Sequence, residues 1–148
     1  MTTELYKICN LQNGSLSVMP KPDSEKMQRD ILHYQSQGIT KVISLLLPTE
    51  IEKLAMQLEP SFCEQNNITF VNFSIKDMSV PKFDDLKAFN ELLKQDLENG
   101  EHIAIHCHGG RGRAGIVAIT LMVEHGIDAQ QAIEMASQAR GDRMPVNE

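Results

Sequence analysis

Residues 106–115, His-Cys-His-Gly-Gly-Arg-Gly-Arg-Ala-Gly, constrain the fold more than any other stretch of this chain. The apolar run His102-Ile103-Ala104-Ile105 leading into them reads as a buried strand, and the apolar residues 116–123 leading out read as a helix. Between the two lie one cysteine, two arginines and four glycines, a costly composition for a mere turn. Glycines let successive backbone N–H groups turn inward around an anion, and a helix N-terminus adds about half a positive charge. A cysteine beside such a nest is favoured as its thiolate. The planar guanidinium of Arg113 can grip two phosphate oxygens at once. The stretch thus carries a nucleophile and a phosphate cradle.

The remaining elements are those of an α/β chain. Asn13-Gly14 between two apolar runs is a hairpin signal. Met27, Ile31 and Tyr34 recur at helical spacing after Asp23 and Ser24, with Gly38 past the end. Residues 42–47, Val-Ile-Ser-Leu-Leu-Leu, read as a central strand covered on both faces. Thr49 with Glu52 suggests a capping box opening a helix that carries Ile51, Leu54 and Leu58 and is stopped by Pro60; a short helical turn follows. Residues 68–75 read as another strand and 76–82 as a loop. Leu86, Phe89, Leu93 and Leu97 mark a long amphipathic helix, and Asp128 with Gln131 opens a last one through about Ala139. Strands alternating with helices imply a central, mostly parallel sheet flanked by helices, with function at the carboxyl ends of its strands. The 148 residues fit one domain, 1–148, without repeats or a linker.

Charge and cysteine usage narrow the class further. A net charge of −6 argues against a nucleic-acid binder. The positive charge that matters is local, at His108, Arg111 and Arg113. Three widely spaced cysteines, Cys9, Cys63 and Cys107, suggest neither a disulfide framework nor a zinc site. Thiolate chemistry fits a reducing, cytoplasmic compartment. No apolar run has the length of a membrane span, and the first ten residues lack a signal-peptide core.

Cys-x5-Arg between a strand and a helix resembles the signature loop, His-Cys-x5-Arg-Ser/Thr-Gly, of the cysteine-dependent protein tyrosine and dual-specificity phosphatases. His106, Cys107, Arg113 and Gly115 match it. The likeness reaches upstream through residues 67–83 and, more loosely, most of the chain, and is greatest to compact dual-specificity domains such as the kinase-associated phosphatases. It implies a protein tyrosine phosphatase-like fold (phosphotyrosine phosphatase II type), no cofactor and no metal. In these terms Cys107 is the nucleophile, forming a cysteinyl-phosphate. His108, Gly109, Gly110, Arg111, Gly112 and Arg113 hold the phosphate. His106 orients the loop and helps hold the thiolate. Asp77, in the loop before Pro81 and 30 residues ahead of Cys107, is the acid that protonates the leaving oxygen; Asp84 and Asp85 look instead like helix-start charges. The chain has no tryptophan, so the Trp-Pro-Asp form of the acid loop is absent, which points to the dual-specificity side.

Ala114 departs from the family pattern. The usual hydroxyl there helps sulfur leave when water attacks the intermediate, so alanine implies slow turnover, as it does in the prenylated regenerating-liver type. No glutamine follows Gln138 to position that water. Arg111 and His108 stand where a phosphoinositide phosphatase of the tumour-suppressor type carries two lysines, so a polyanionic lipid or inositol phosphate is the alternative substrate to a phosphorylated protein.

Competing readings of the same residues are weaker. His102, His106 and His108 lack a carboxylate or cysteine cluster to complete a metal site. Gly110, Gly112 and Gly115 fit a dinucleotide fingerprint, yet only 33 residues follow, and Glu134, at the right offset for its acid, falls in an expected helix. A sulfur-transfer or arsenate-reducing enzyme would use the Cys-x5-Arg geometry but has no use for Asp77 at its spacing. A phosphate-binding module that barely turns over is the non-enzymatic alternative, motivated by Ala114. The expectation is a phosphomonoester hydrolase acting on phosphotyrosine proteins, with phosphoserine and phosphothreonine as further substrates.

Overall fold

Asn13-Gly14 turns the chain as its composition dictates. Strands β1 (Tyr6–Leu11) and β2 (Gly14–Met19) form an antiparallel hairpin with Leu11 opposite Gly14. Gly14 is required by close packing, because a Cβ there would lie 2.0 Å from the Glu101 carbonyl oxygen. The coordinates are a computed structural model that describes residues 2–76, 82–142, 144 and 145.

Helix α1 (Met27–Ser36) follows, then β3 (Lys41–Ser44), α2 (Pro48–Lys53), α3 (Glu59–Gln65), β4 (Thr69–Asn72), α4 (Phe83–Glu98), β5 (His102–His106), α5 (Arg113–Glu124) and α6 (Ala129–Arg140). The five strands form one sheet in the order β1-β2-β5-β3-β4, in which every pair except β1–β2 is parallel. This is the mostly parallel, helix-flanked α/β sheet expected from the alternating pattern.

Strand alternation divides the core into two layers. Leu16, Val18, Ile43, Leu45, Ile103 and Ile105 face α4, α5 and α6, meeting Leu93, Leu97, Val117 and Leu121. Met19, Val42, Leu46 and Ala104 face α1 and α3, meeting Met27, Ile31, Tyr34 and Cys63. Residues at 104 and 106 share a side, so His106 is turned toward the α1–α3 layer.

Three boundaries differ from the expectation. The strands at 42–47 and 68–75 are shorter, because ladder pairing ends at Ser44 and Asn72; Leu45 and Ile75 continue as loop linked by an Ile75 N–H to Leu45 carbonyl bond. The helix expected to run from Thr49 to Leu58 stops at Lys53, where Ala55 takes a left-handed φ of 57°. Pro60 therefore starts a helix rather than stopping one: it occupies the first turn of α3, where its missing N–H costs nothing. The cap of α2 is also not the predicted pair, since Pro48 opens the helix and Glu50 Oε1 accepts from the Leu47 N–H at 3.0 Å.

Candidate active site

Parallel strands deliver their carboxyl ends to one edge of the sheet. Here β5 delivers Cys107, β3 the segment leading to Glu50, β4 the segment through Ile75, and β2 Pro20 and Lys21. Backbone hydrogen bonds stitch these ends together: Leu45 N–H to the His106 carbonyl at 2.9 Å and Lys21 N–H to the His108 carbonyl at 3.1 Å. Gly110 lies where the loop folds back on β2. Its φ is 81°, and a Cβ would come within 2.4 Å of the Met19 carbonyl oxygen, so a side chain is barred on both counts.

Cys107 lies on the floor of this loop, 1% exposed, among the apolar side chains beneath α5. His108 is exposed at the rim, while Gly110 and Gly112 are buried. Arg140, at the end of α6, supports the loop from outside: its guanidinium donates to the Gly109 carbonyl at 3.2 Å and lies 4.2 Å over the Tyr6 ring. Ala114 and Gly115 are buried in the first turn of α5, the latter against Met144 and Pro145.

Arg113 is the first residue of α5 and is 2% exposed. A cation in the first turn is repelled by the helix macrodipole and costly to bury, so it needs an anion. Glu50 supplies one: Nη1 donates to Oε1 at 2.7 Å and Nη2 to Oε2 at 3.1 Å, a two-pronged clamp, and Nη1 also donates to the Ile75 carbonyl at 3.1 Å. Burial alone would push the Glu50 carboxyl up, but the Arg113 bonds, the Leu47 N–H and the charges of Arg113 and His108 outweigh it and hold Glu50 below the usual carboxylate range. Its stabilisation is therefore fully present above about pH 4.3 and lost as pH falls through the lowered folded value. Because Glu50 is partly water-screened, Glu50→Gln is expected to lower stability by only about 1 kcal/mol at pH 7. Urea unfolding should show that difference shrinking toward zero below pH 4.

His106 lies opposite, fully buried, with Nε2 2.6 Å from Glu59 Oε2 and Nδ1 3.0 Å from the Cys107 carbonyl oxygen. His102, at the far end of β5, bonds instead to Ser15 Oγ at 2.7 Å, so it and His106 are engaged separately. Arg111 forms an ion pair with Asp142, beyond α6. Asp77 falls within 77–81, outside the described residues. Asp84 and Asp85 lie in the first turn of α4, as helix-start charges should, and Glu134 is within α6.

Two site residues escaped the sequence reading, Glu50 and Glu59. Glu50 had a usable signal, since it follows β3 at the carboxyl edge of the sheet. Glu59 carries none: a glutamate before a proline gives no hint of a histidine 47 positions later.

Among the described residues, no helix is long and apolar enough to cross a membrane. Comparison with known proteins places this geometry. A family model described as "Swiss Army Knife protein, DSP-PTPase phosphatase domain" matches residues 8–145. The mouse protein tyrosine phosphatase domain-containing protein 1 is 30% identical over 130 residues, covering 80% of this chain and 17% of its own length. Rat cyclin-dependent kinase inhibitor 3 is 29% identical over 117 residues, 78% of this chain and 55% of its own. The chain thus spans from about a sixth to about half of these relatives. Among solved structures, kinase associated phosphatase with its catalytic-site cysteine replaced by serine superposes with a TM-score of 0.85 at 22% identity, over 95% of this chain and 85% of that one. PTPMT1 in complex with PI(5)P gives a TM-score of 0.73 at 16% identity, over 94% and 85%. The chain belongs to the Swiss Army Knife family of DSP-PTPase phosphatase domains.

Proposed function

We propose that this chain is a cysteine-dependent phosphatase that hydrolyses phosphotyrosine in proteins, with phosphoserine and phosphothreonine as further substrates. The observation that carries the reading is the buried Arg113, clamped by Glu50 at the head of α5 and one loop away from Cys107. A structural cysteine has no use for a desolvated guanidinium beside a glycine nest. In this reading the Cys107 thiolate attacks phosphorus, the S–P bond forms and the P–O bond to the leaving group breaks. Arg113 and the amides of residues 108–112 hold the three non-bridging oxygens. Asp77 gives its proton to the departing oxygen, and the resulting carboxylate takes a proton from the water that then cleaves the S–P bond. The chemistry calls for no metal or cofactor.

The polyanionic lipid or inositol phosphate reading rests on the positive rim at His108 and Arg111. The Asp142 carboxylate paired with Arg111 offsets part of that charge, which favours a monophosphate. The binding-module reading rests on Ala114, which is buried in the first turn of α5 where the hydroxyl would sit.

Stopped-flow release of nitrophenol from an aryl phosphate tests the proposal. The parent should show a stoichiometric burst followed by a slow steady rate, because formation of the cysteinyl-phosphate outruns its breakdown. Ala114→Ser restores the hydroxyl and should raise the steady rate about tenfold, the factor that one ordinary hydrogen bond of roughly 1.4 kcal/mol supplies, while leaving the burst rate within twofold. Fast steady turnover without a burst would keep the enzyme and show that Ala114 is compensated. No release under reducing conditions would sink the phosphatase reading for this substrate class and favour the binding module.

A further inference from the structure

Two successive carbonyls of the signature loop are held from outside it. The Lys21 N–H, in the segment after β2, donates to the His108 carbonyl at 3.1 Å. The Arg140 guanidinium, on the last residue of α6, donates to the Gly109 carbonyl through Nη2 at 3.2 Å. In a trans peptide unit the C=O and the N–H point in opposite directions. Fixing the Gly109 carbonyl toward α6 therefore fixes the Gly110 N–H on the other side of the same plane, toward the interior of the loop. The first bond is made by backbone and comes with the sheet, whereas the second hangs on one side chain. We propose that Arg140 is a positioning residue: by holding the Gly109 carbonyl outward it presents the Gly110 N–H to a phosphoryl oxygen, and so sets the affinity of the loop for phosphate. The inference rests on the reading of residues 108–113 as a phosphate cradle.

The loop needs such a brace. Gly109 and Gly110 carry no Cβ, so side-chain sterics do little to fix the peptide unit between them. Arg140 is itself firmly placed. It occupies the last turn of α6, where the helix macrodipole favours a cation, and its guanidinium lies 4.2 Å over the Tyr6 ring of β1. Helix α6 packs on both α5 and β1, so the brace is tied to the helix that the loop opens and to the edge of the sheet. Just beyond α6, Asp142 pairs with Arg111. The end of α6 thus grips the loop at residues 109 and 111, on either side of Gly110. A residue needed only to join α6 to β1 could be apolar. The Arg140 Nε–H is buried with no hydrogen-bond partner among the described residues, a cost that leucine against the same ring would not carry. What leucine would lack is the charge-assisted bond to Gly109.

Titration calorimetry with inorganic phosphate, under reducing conditions, tests this in Arg140→Leu. Affinity should fall about tenfold, the factor that one ordinary hydrogen bond supplies. The Gly110 amide gives a signature that a merely structural role would not move. In nitrogen-15 correlation spectra, saturating phosphate should shift its proton downfield in the parent, as a charge-assisted hydrogen bond requires. In Arg140→Leu it should leave that proton nearly unmoved while other loop amides still respond. Tyr6→Leu removes the ring beneath the guanidinium and leaves α6 whole, and should weaken phosphate binding about threefold. The double variant should bind no more weakly than Arg140→Leu alone, since both changes act through one bond. Across the three variants, kcat/KM for an aryl phosphate should follow the phosphate affinity. Unchanged affinity in Arg140→Leu would overturn the proposal. So would a loss of affinity with the Gly110 shift intact, which would leave Arg140 a distant charge, and so would additive losses in the double variant. Should Arg140→Leu fail to fold, Tyr6→Leu decides by the same two readings. Weakened phosphate binding in variants of a protein that hydrolyses no phosphate ester would uphold Arg140 and count only against the phosphatase reading. Parental turnover and affinity in Arg140→Leu would count against Arg140 alone.

Discussion

Cys107→Ser is expected to abolish the burst and lower steady aryl phosphate turnover by about 10⁴-fold or more, the scale seen when an attacking nucleophile is removed. Serine keeps the shape of the side chain and the amide nest, so what it removes is the sulfur that the proposed mechanism uses to attack phosphorus. An alcohol is un-ionised at neutral pH, and nothing the nest supplies is enough to ionise it. The S–P bond therefore does not form, and no phosphorylated protein should appear by mass spectrometry after quenching in acid. Phosphate binding should survive, because Arg113 and the loop amides remain. Titration calorimetry with inorganic phosphate should return an affinity within threefold of the parent's. Cys107 is buried among apolar groups, so the new hydroxyl costs roughly 1–2 kcal/mol of stability, too little to confuse loss of chemistry with loss of fold. Retained turnover would remove the covalent route. Lost phosphate binding would mean that sulfur, rather than the nest, anchors the ligand.

What was legible in the sequence is what the chain carries locally. The strand, nest and helix of residues 102–124 are contiguous, and each part has a composition that admits little else: β-branched and apolar residues before, glycines between, a continuous apolar helix after. The hairpin at Gly14 and the helix end at Gly38 were legible for the same reason, as backbone geometry written into single residues. Partners that arrive through tertiary structure were not. Glu50 meets Arg113 across 63 positions and Glu59 meets His106 across 47; no periodicity encodes either. The misreading of Pro60 has a different cause. Proline both ends helices and favours their first turn, and only the left-handed break at Ala55 decides which applies here. The two missed glutamates are the hydrogen-bond partners of Arg113 and His106, which lie on either side of Cys107 in sequence. Composition had located the positive half of this site, and the fold supplied the negative half.

Arg113→Lys should be the second large effect, lowering kcat for an aryl phosphate about 10²- to 10³-fold, the range for losing a preorganised donor to transition-state charge. The charge is conserved, so a purely electrostatic role would predict a small loss. A larger one is expected because the guanidinium is a planar fork whose two ends meet both oxygens of Glu50 and whose Nη1 also reaches the Ile75 carbonyl. An ammonium is a point charge on a flexible stem and cannot reproduce that plane. Once Glu50 no longer fixes the cation, its position relative to the phosphoryl oxygens is lost, and the developing negative charge is met late or askew. The pair should then behave as one unit. Glu50→Gln alone should cost about tenfold in kcat, yet in the Arg113→Lys background it should cost less than twofold, since residues sharing one interaction are not additive. A full tenfold loss in that background would mean that Glu50 acts on the reaction by another route. A loss below tenfold for Arg113→Lys itself would mean that charge alone is sufficient there, and that the buried clamp between α2 and α5 serves the fold rather than the chemistry.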